Sequence, residues 1–145
     1  MSVCTIYQTV RDIHVPRSHI QKTAEATLRV CRKYGHELSV HCVGEKKIRT
    51  LNRTYRGLDR PTDVLSFSAL EGDKVGIEAA EEVGDIFLCI PYIQRQAKRL
   101  GVPYREELTR MLIHGILHAV GYDHMEKKDA EKMFSLQEAI LKKQV

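Results

Sequence analysis

A chain of 145 residues, 43% hydrophobic and 29% charged, is long enough to bury one core without disulfide staples, and its composition excludes disordered and fibrous classes. No apolar run approaches a membrane span, and residues 1–7 alternate like a strand rather than forming a secretory leader, so a cytoplasmic protein with no membrane partner is expected. The net charge of +4 is too small to demand a polyanionic partner, but it is uneven: acid gathers at Glu71, Asp73, Glu78, Glu81 and Glu82, and base at Lys46, Lys47, Arg49, Arg53, Arg56 and Arg60.

Residues 3–10 alternate loosely and predict a first strand; Pro16 and Ser18 then precede a helical pattern through Ile20, Ala24, Leu28 and Cys31, which Gly35 is expected to stop. Leu38, Val40 and Cys42 alternate with Ser39, His41 and Val43, the signature of a half-buried strand ending at Gly44. A second helix carries Ile48, Leu51, Asn52 and Tyr55 on one face and Arg49, Arg53 and Arg56 on another, and ends near Gly57. Residues 61–68 open with turn chemistry and continue as a strand, and residues 83–90 read as a fourth strand, apolar on both faces beyond Asp85. Pro91 begins a helix that Gly101 closes. The longest apolar-striped helix follows over residues 104–120, and a last helix from about Glu126 aligns Ala130, Met133, Phe134, Gln137, Ile140 and Leu141. No repeat, linker or low-complexity tract interrupts the chain, which is assigned as one domain over residues 1–145. Cys4, Cys31, Cys42 and Cys89 lie far apart in apolar segments, as expected of buried thiols in a reducing compartment rather than a metal knuckle.

The chemistry gathers in residues 114–124. His114 and His118 stand four apart on the predicted helix, so their side chains share one face; Gly121 can take a conformation that ends the helix and returns His124 toward the same point. Neutral imidazole is a zinc ligand at about 2.0–2.1 Å, and three protein ligands with an open fourth position are the arrangement of catalytic rather than structural zinc. His114, His118 and His124 are therefore the expected ligands of one Zn2+ per chain. The spacing coincides with the H-E-x-x-H-x-x-G-x-x-H pattern of metzincin proteases, but Gly115 replaces the glutamate that serves them as general base, which points away from proteolysis. His14, His19, His36 and His41 lack ligand spacing and are read as ordinary surface or strand-edge imidazoles. Tyr55 and Tyr122 offer rings for base stacking, although aromatics beside helix ends are more often packing residues.

The segment His114-Gly115-Ile116-Leu117-His118-Ala119-Val120-Gly121-Tyr122-Asp123-His124 resembles the signature of the YbeY family of bacterial endoribonucleases. Leu51-Asn52-Arg53-Thr54-Tyr55-Arg56 with Pro61-Thr62-Asp63-Val64-Leu65-Ser66-Phe67, Gly84-Asp85-Ile86 and Glu107-Leu108-Thr109 resemble the family's other motifs in the expected order, over roughly residues 50–135. Ser68 stands where the family usually has proline, a departure expected to affect a strand end rather than the chemistry. The resemblance implies an α/β domain of α+β type, with a small mixed sheet of about four strands packed with about five helices. It also implies a zinc-dependent endoribonuclease acting on single-stranded RNA in 16S rRNA 3′-end maturation and ribosome quality control, with rRNA and the ribosomal subunit as partners.

Arg56 gains a catalytic role from the resemblance, alongside His114, and guanidinium chemistry independently suits phosphate binding by Arg56, Arg53 and Arg49. A solvated charged face is an equal reading of Arg49 and Arg53. Asp85, Glu107 and Asp123 are candidates to accept the spare imidazole protons of the ligands, with helix capping or solvation as the alternative. A non-catalytic zinc-containing ribosome assembly factor, and less so a metalloprotease, remain alternatives. Whether water or the ribose 2′-hydroxyl attacks, and the oligomeric state, stay open.

Overall fold

The computed structural model describes residues 4–69, 81–122 and 126–145. Their elements run β1 (Cys4–Gln8), α1 (Arg17–Val30), β2 (Glu37–Val43), α2 (Glu45–Arg56), β3 (Val64–Ser68), β4 (Glu82–Cys89), α3 (Ile90–Leu100), α4 (Tyr104–Ala119) and α5 (Lys127–Gln144). The four strands form one mixed sheet in the order β1-β2-β4-β3. β1–β2 and β2–β4 pair parallel, and β3 pairs antiparallel to β4, which leaves β3 at an edge.

Register explains the run of apolar residues in β4. Ile86 and Leu88 point into the main core with Leu38, Val40 and Cys42, whereas Cys89, and Phe87 beside it, join a second cluster with Val43, Ile48 and Leu65 on the opposite face. A strand covered on both sides has no need of alternation. α4 is buried on most of its circumference for a related reason: it contacts β3 and β4 on one side and α1, α3 and α5 on others. Its Leu108, Leu112, Ile113, Ile116 and Leu117 are at most 1% exposed, and each contributes about 1.5–3 kcal/mol of burial.

One boundary departs from the sequence expectation. α1 ends at Val30, well short of Gly35, because Arg32 adopts a positive φ of 58° and the Lys33 N–H donates to Leu28 O at 2.7 Å. These bonds satisfy the last carbonyls of the helix without glycine.

Candidate catalytic cleft

Pairing of β3 against α4 builds a cleft of about 450 Å³ whose lining includes Arg56, Asp63, Ser66, Ser68, His114 and His118. The helix lies very close to the strand. A Cβ on Gly115 would stand 2.8 Å from Ile86 Cγ2 and 3.1 Å from both Val64 Cγ2 and Ser66 Oγ, and the Ser66 hydroxyl donates to Gly115 O at 2.8 Å. The residue after His114 therefore faces the sheet, where no carboxylate fits.

His114 and His118 present their rings on the cleft side of α4, with centroids 5.2 Å apart and planes at 67°. Beyond them Gly121 takes a φ of +112°, and the Tyr122 N–H donates to Leu117 O at 2.9 Å, which closes the C-terminal end of the helix. His124 and Asp123 lie outside the described residues.

His114 Nδ1 lies 2.7 Å from Gln137 Oε1 of α5, and the Gln137 amide nitrogen donates to Glu138 Oε2 at 3.1 Å. Desolvation pulls the other way, yet hydrogen bonds from Arg110 and Gln137 hold the Glu138 carboxyl below the ordinary glutamate range, so it only accepts. The amide must turn its nitrogen to Glu138 and its oxygen to the ring. His114 then carries its proton on Nδ1, which leaves the lone pair on Nε2.

The chain of contacts continues. Arg110 bonds Glu138 (3.1 Å) and Glu107 (2.6 Å), Gln96 donates to Glu107 (2.6 Å) and to Asp63 (3.1 Å), and Asp63 Oδ1 accepts the Val64 N–H at 2.7 Å. Desolvation works against the Arg110 charge, but its two carboxylate partners outweigh it and raise its pKa. This polar circuit begins at His114 and returns to the cleft at Asp63. Glu107, at 2% exposure, is thus corrected from a direct acceptor of a histidine proton to a buried partner of Arg110 and Gln96. Gln137, at 4% exposure, takes the place expected of an acid.

Asp85 is corrected too. In register it stands beside Phe67 and Ser39 on the sheet face away from α4, and its Oδ1 meets His41 Nε2 at 2.9 Å. His41, read from sequence as without a role, is stacked between Tyr7 (4.8 Å, 14°) and Phe87 (4.1 Å, 9°). His19 is also no surface residue; it is buried against Thr109 at 2.7 Å and Arg105 at 3.1 Å.

The three arginines of α2 divide. Arg49 clasps Asp59 through Nε (2.9 Å) and Nη2 (3.4 Å), and Arg53 approaches the same carboxylate at 3.7 Å, both on exposed surface outside the cleft lining. Arg56 turns instead to the β3 edge, where Nη2 donates to Ser66 O at 2.7 Å and the guanidinium lies 4.8 Å from the centre of the Phe67 ring. A guanidinium braced in this way is held as a planar fork at the edge of the cleft.

Fold and site together define a small α+β domain with an arginine–histidine cleft of the kind enzymes use on anionic substrates. The family model described as Endoribonuclease YbeY matches residues 5–144. An Endoribonuclease YbeY of Persephonella marina is 38% identical over 141 residues, 97% of this chain and 91% of the relative. That of Halalkalibacterium halodurans is 40% identical over 138 residues, 91% and 82% of the two chains. The solution structure of a Thermotoga maritima protein matches with a TM-score of 0.65 at 30% identity, covering 97% of this chain and 88% of that one. The chain belongs to the YbeY endoribonuclease family.

Proposed function

We propose that this protein is a zinc-dependent endoribonuclease that cuts single-stranded RNA, working in the cytoplasm on the 3′ end of 16S rRNA and in ribosome quality control. The observation that carries the reading is Arg56 and the paired imidazoles of His114 and His118 lining one cleft. The donor set fits a divalent cation: the imidazoles are neighbours, and the tautomer imposed by Gln137 leaves Nε2 of His114 with its lone pair. His114, His118 and His124 are the residues that would hold the ion, which when bound supplies Lewis-acid polarisation of a phosphodiester oxygen or of water.

The chain's own groups do the rest. Arg56, braced by the Ser66 carbonyl and Phe67, binds the phosphate and offsets the charge that grows on its oxygens during displacement. Arg49 and Arg53, engaged with Asp59, contribute at most a more distant electrostatic attraction for the RNA backbone, which salt screens. Gly115 accounts for the missing peptidase base, since a glutamate there would collide with Ile86 and Val64.

Purified protein incubated with unstructured RNA tests the reading. Cleavage should be abolished by chelation and restored by zinc, and His114→Ala should remove it. Arg56→Ala should lower kcat by about 10²–10³, the usual cost of deleting one donor to a developing oxyanion. RNA left whole by folded, zinc-loaded protein would instead favour an assembly factor.

A further inference from the structure

The sheet face opposite α4 holds a second concavity that the cleft chemistry does not use. Leu51 and Tyr55 of α2 form one wall, and Phe67, Phe87 and Asp85 of the sheet form the other, around a groove of about 370 Å³. Tyr55 is 62% exposed, an unusual state for a ring that serves only as packing. It meets Phe67 edge to face at 5.3 Å and 70°, and Phe67 meets Phe87 at 5.8 Å and 85°. Asp85 is the one charged side chain of the lining among the described residues, with its carboxylate half exposed.

Groove and cleft are neighbours across the edge strand. Arg56 lines the cleft while its guanidinium rests on Phe67, a wall of the groove. The two sites therefore share the Arg56–Phe67 contact, one residue in each lining, and a phosphate beside Arg56 would lie next to the aromatic surface. We infer that this groove is a nucleobase subsite of the RNA, selective for a base that offers N–H donors to Asp85, with guanine preferred. The inference rests on the nuclease reading above and names a further contact for the same substrate.

Shape and polarity favour this occupant. Every base has a π face that stacks on aromatic rings, so Tyr55 and the phenylalanines supply affinity without selecting among bases. Selection falls to Asp85. An ionised carboxylate only accepts, and guanine presents two adjacent donors, N1–H and the N2 amino group, to its two oxygens. Cytosine and adenine offer one exocyclic amino group on the same edge, whereas the single N3–H of uracil is flanked by carbonyl oxygens that face a carboxylate unfavourably. The acceptor is also held in place: His41 Nε2 donates to Oδ1 at 2.9 Å, and the His41 ring is clamped between Tyr7 and Phe87. A site already arranged loses little freedom on binding.

The test is titration of the full chain with each of the four nucleoside 5′-monophosphates, followed through NMR signals of the aromatic rings. Their phosphates are identical and any contact with Arg56 is common to all, so differences among them report the base. The signals of Tyr55, Phe67 and Phe87 should move, and the guanine nucleotide should bind about tenfold more tightly than the uracil nucleotide. Exposed Tyr55→Ala, which threatens no core packing, should weaken all four by about tenfold, the effect of one lost stack. Asp85→Asn should bring the guanine and uracil affinities within twofold while the rings still respond. Equal affinities for the parent protein, or shifts confined to the His114 cleft, would overturn the inference. Loss of RNA cleavage in a separate assay would sink the nuclease reading yet leave these titrations interpretable; intact cleavage with an unresponsive groove would sink only the subsite.

Discussion

Replacing Gln137 with leucine removes the acceptor for His114 at nearly constant volume, so no large cavity complicates the outcome. Gln137 is 4% exposed and its oxygen lies 2.7 Å from His114 Nδ1. Deleting a partner of a buried polar group costs about 1–3 kcal/mol, and the variant should lose stability of that order. The more specific effect is on the ring. Without a fixed acceptor the imidazole can carry its proton on either nitrogen and rotate, and outer partners of a ligating histidine are worth about 10–100-fold in metal affinity. Zinc binding should therefore weaken by about 1.4–2.8 kcal/mol. A competitive titration against a chromophoric chelator measures it, and nitrogen-15 NMR of histidine-labelled, metal-free protein reads the tautomer directly. Gln137→Glu should recover part of the affinity, because a carboxylate also accepts from Nδ1, although it then faces Glu138 where the amide donated. A folded Gln137→Leu protein that binds zinc within twofold of the parent, or a parent His114 protonated on Nε2, would refute the reasoning.

Three further expectations are open to simple measurement. Gly115→Ala should cost about 1–3 kcal/mol in denaturant unfolding, since its Cβ would enter the space of Ile86, Val64 and Ser66, and Gly115→Glu should cost more while creating no peptidase activity on a peptide library. Burial, followed by Arg105 and Lys22, holds the His19 imidazole below its ordinary pKa of 6.5, so the folded state binds that proton less readily than the unfolded chain. Its contribution is complete above pH 6.5 and is lost as pH falls through the lower folded value, and urea unfolding from about pH 7.5 to about pH 5 should show a steeper loss for the parent than for His19→Gln. Burial pushes the thiol of Cys4 up to about 12 and those of Cys31, Cys42 and Cys89 up to about 11, so a disulfide-exchange reagent at mildly alkaline pH should label the native protein slowly and the unfolded protein fast.

The elements were legible because their apolar periods are clean and because Gly57, Gly101 and Pro91 punctuate them; the structure places them at C-caps and in a first turn. α1 misled the reading at its end, where hydrogen bonds to Leu28 and Arg29 made a cap from Arg32 that no residue preference announces. In the cleft, His114 and His118 were legible because four-residue spacing on a helix is local geometry. The partners were not, because they depend on which strand or helix packs opposite. Asp85 is a single residue from Ile86, which faces α4, and the two-residue period of a strand sends it to the other face. Gln137 did leave a signal: it interrupts an otherwise apolar stripe of α5 between Met133 and Ile140, and a buried amide in such a stripe calls for a partner. Asp63 and His41 carried no such mark, since their roles come from contacts 33 and 44 residues away in sequence.

The acceptor for His114 is encoded 23 residues downstream of it. The cleft is thus sensitive to a helix that is absent from the lining named above: any change that shifts α5 against α4 alters the orientation of the first histidine without touching Arg56, Asp63 or Ser66.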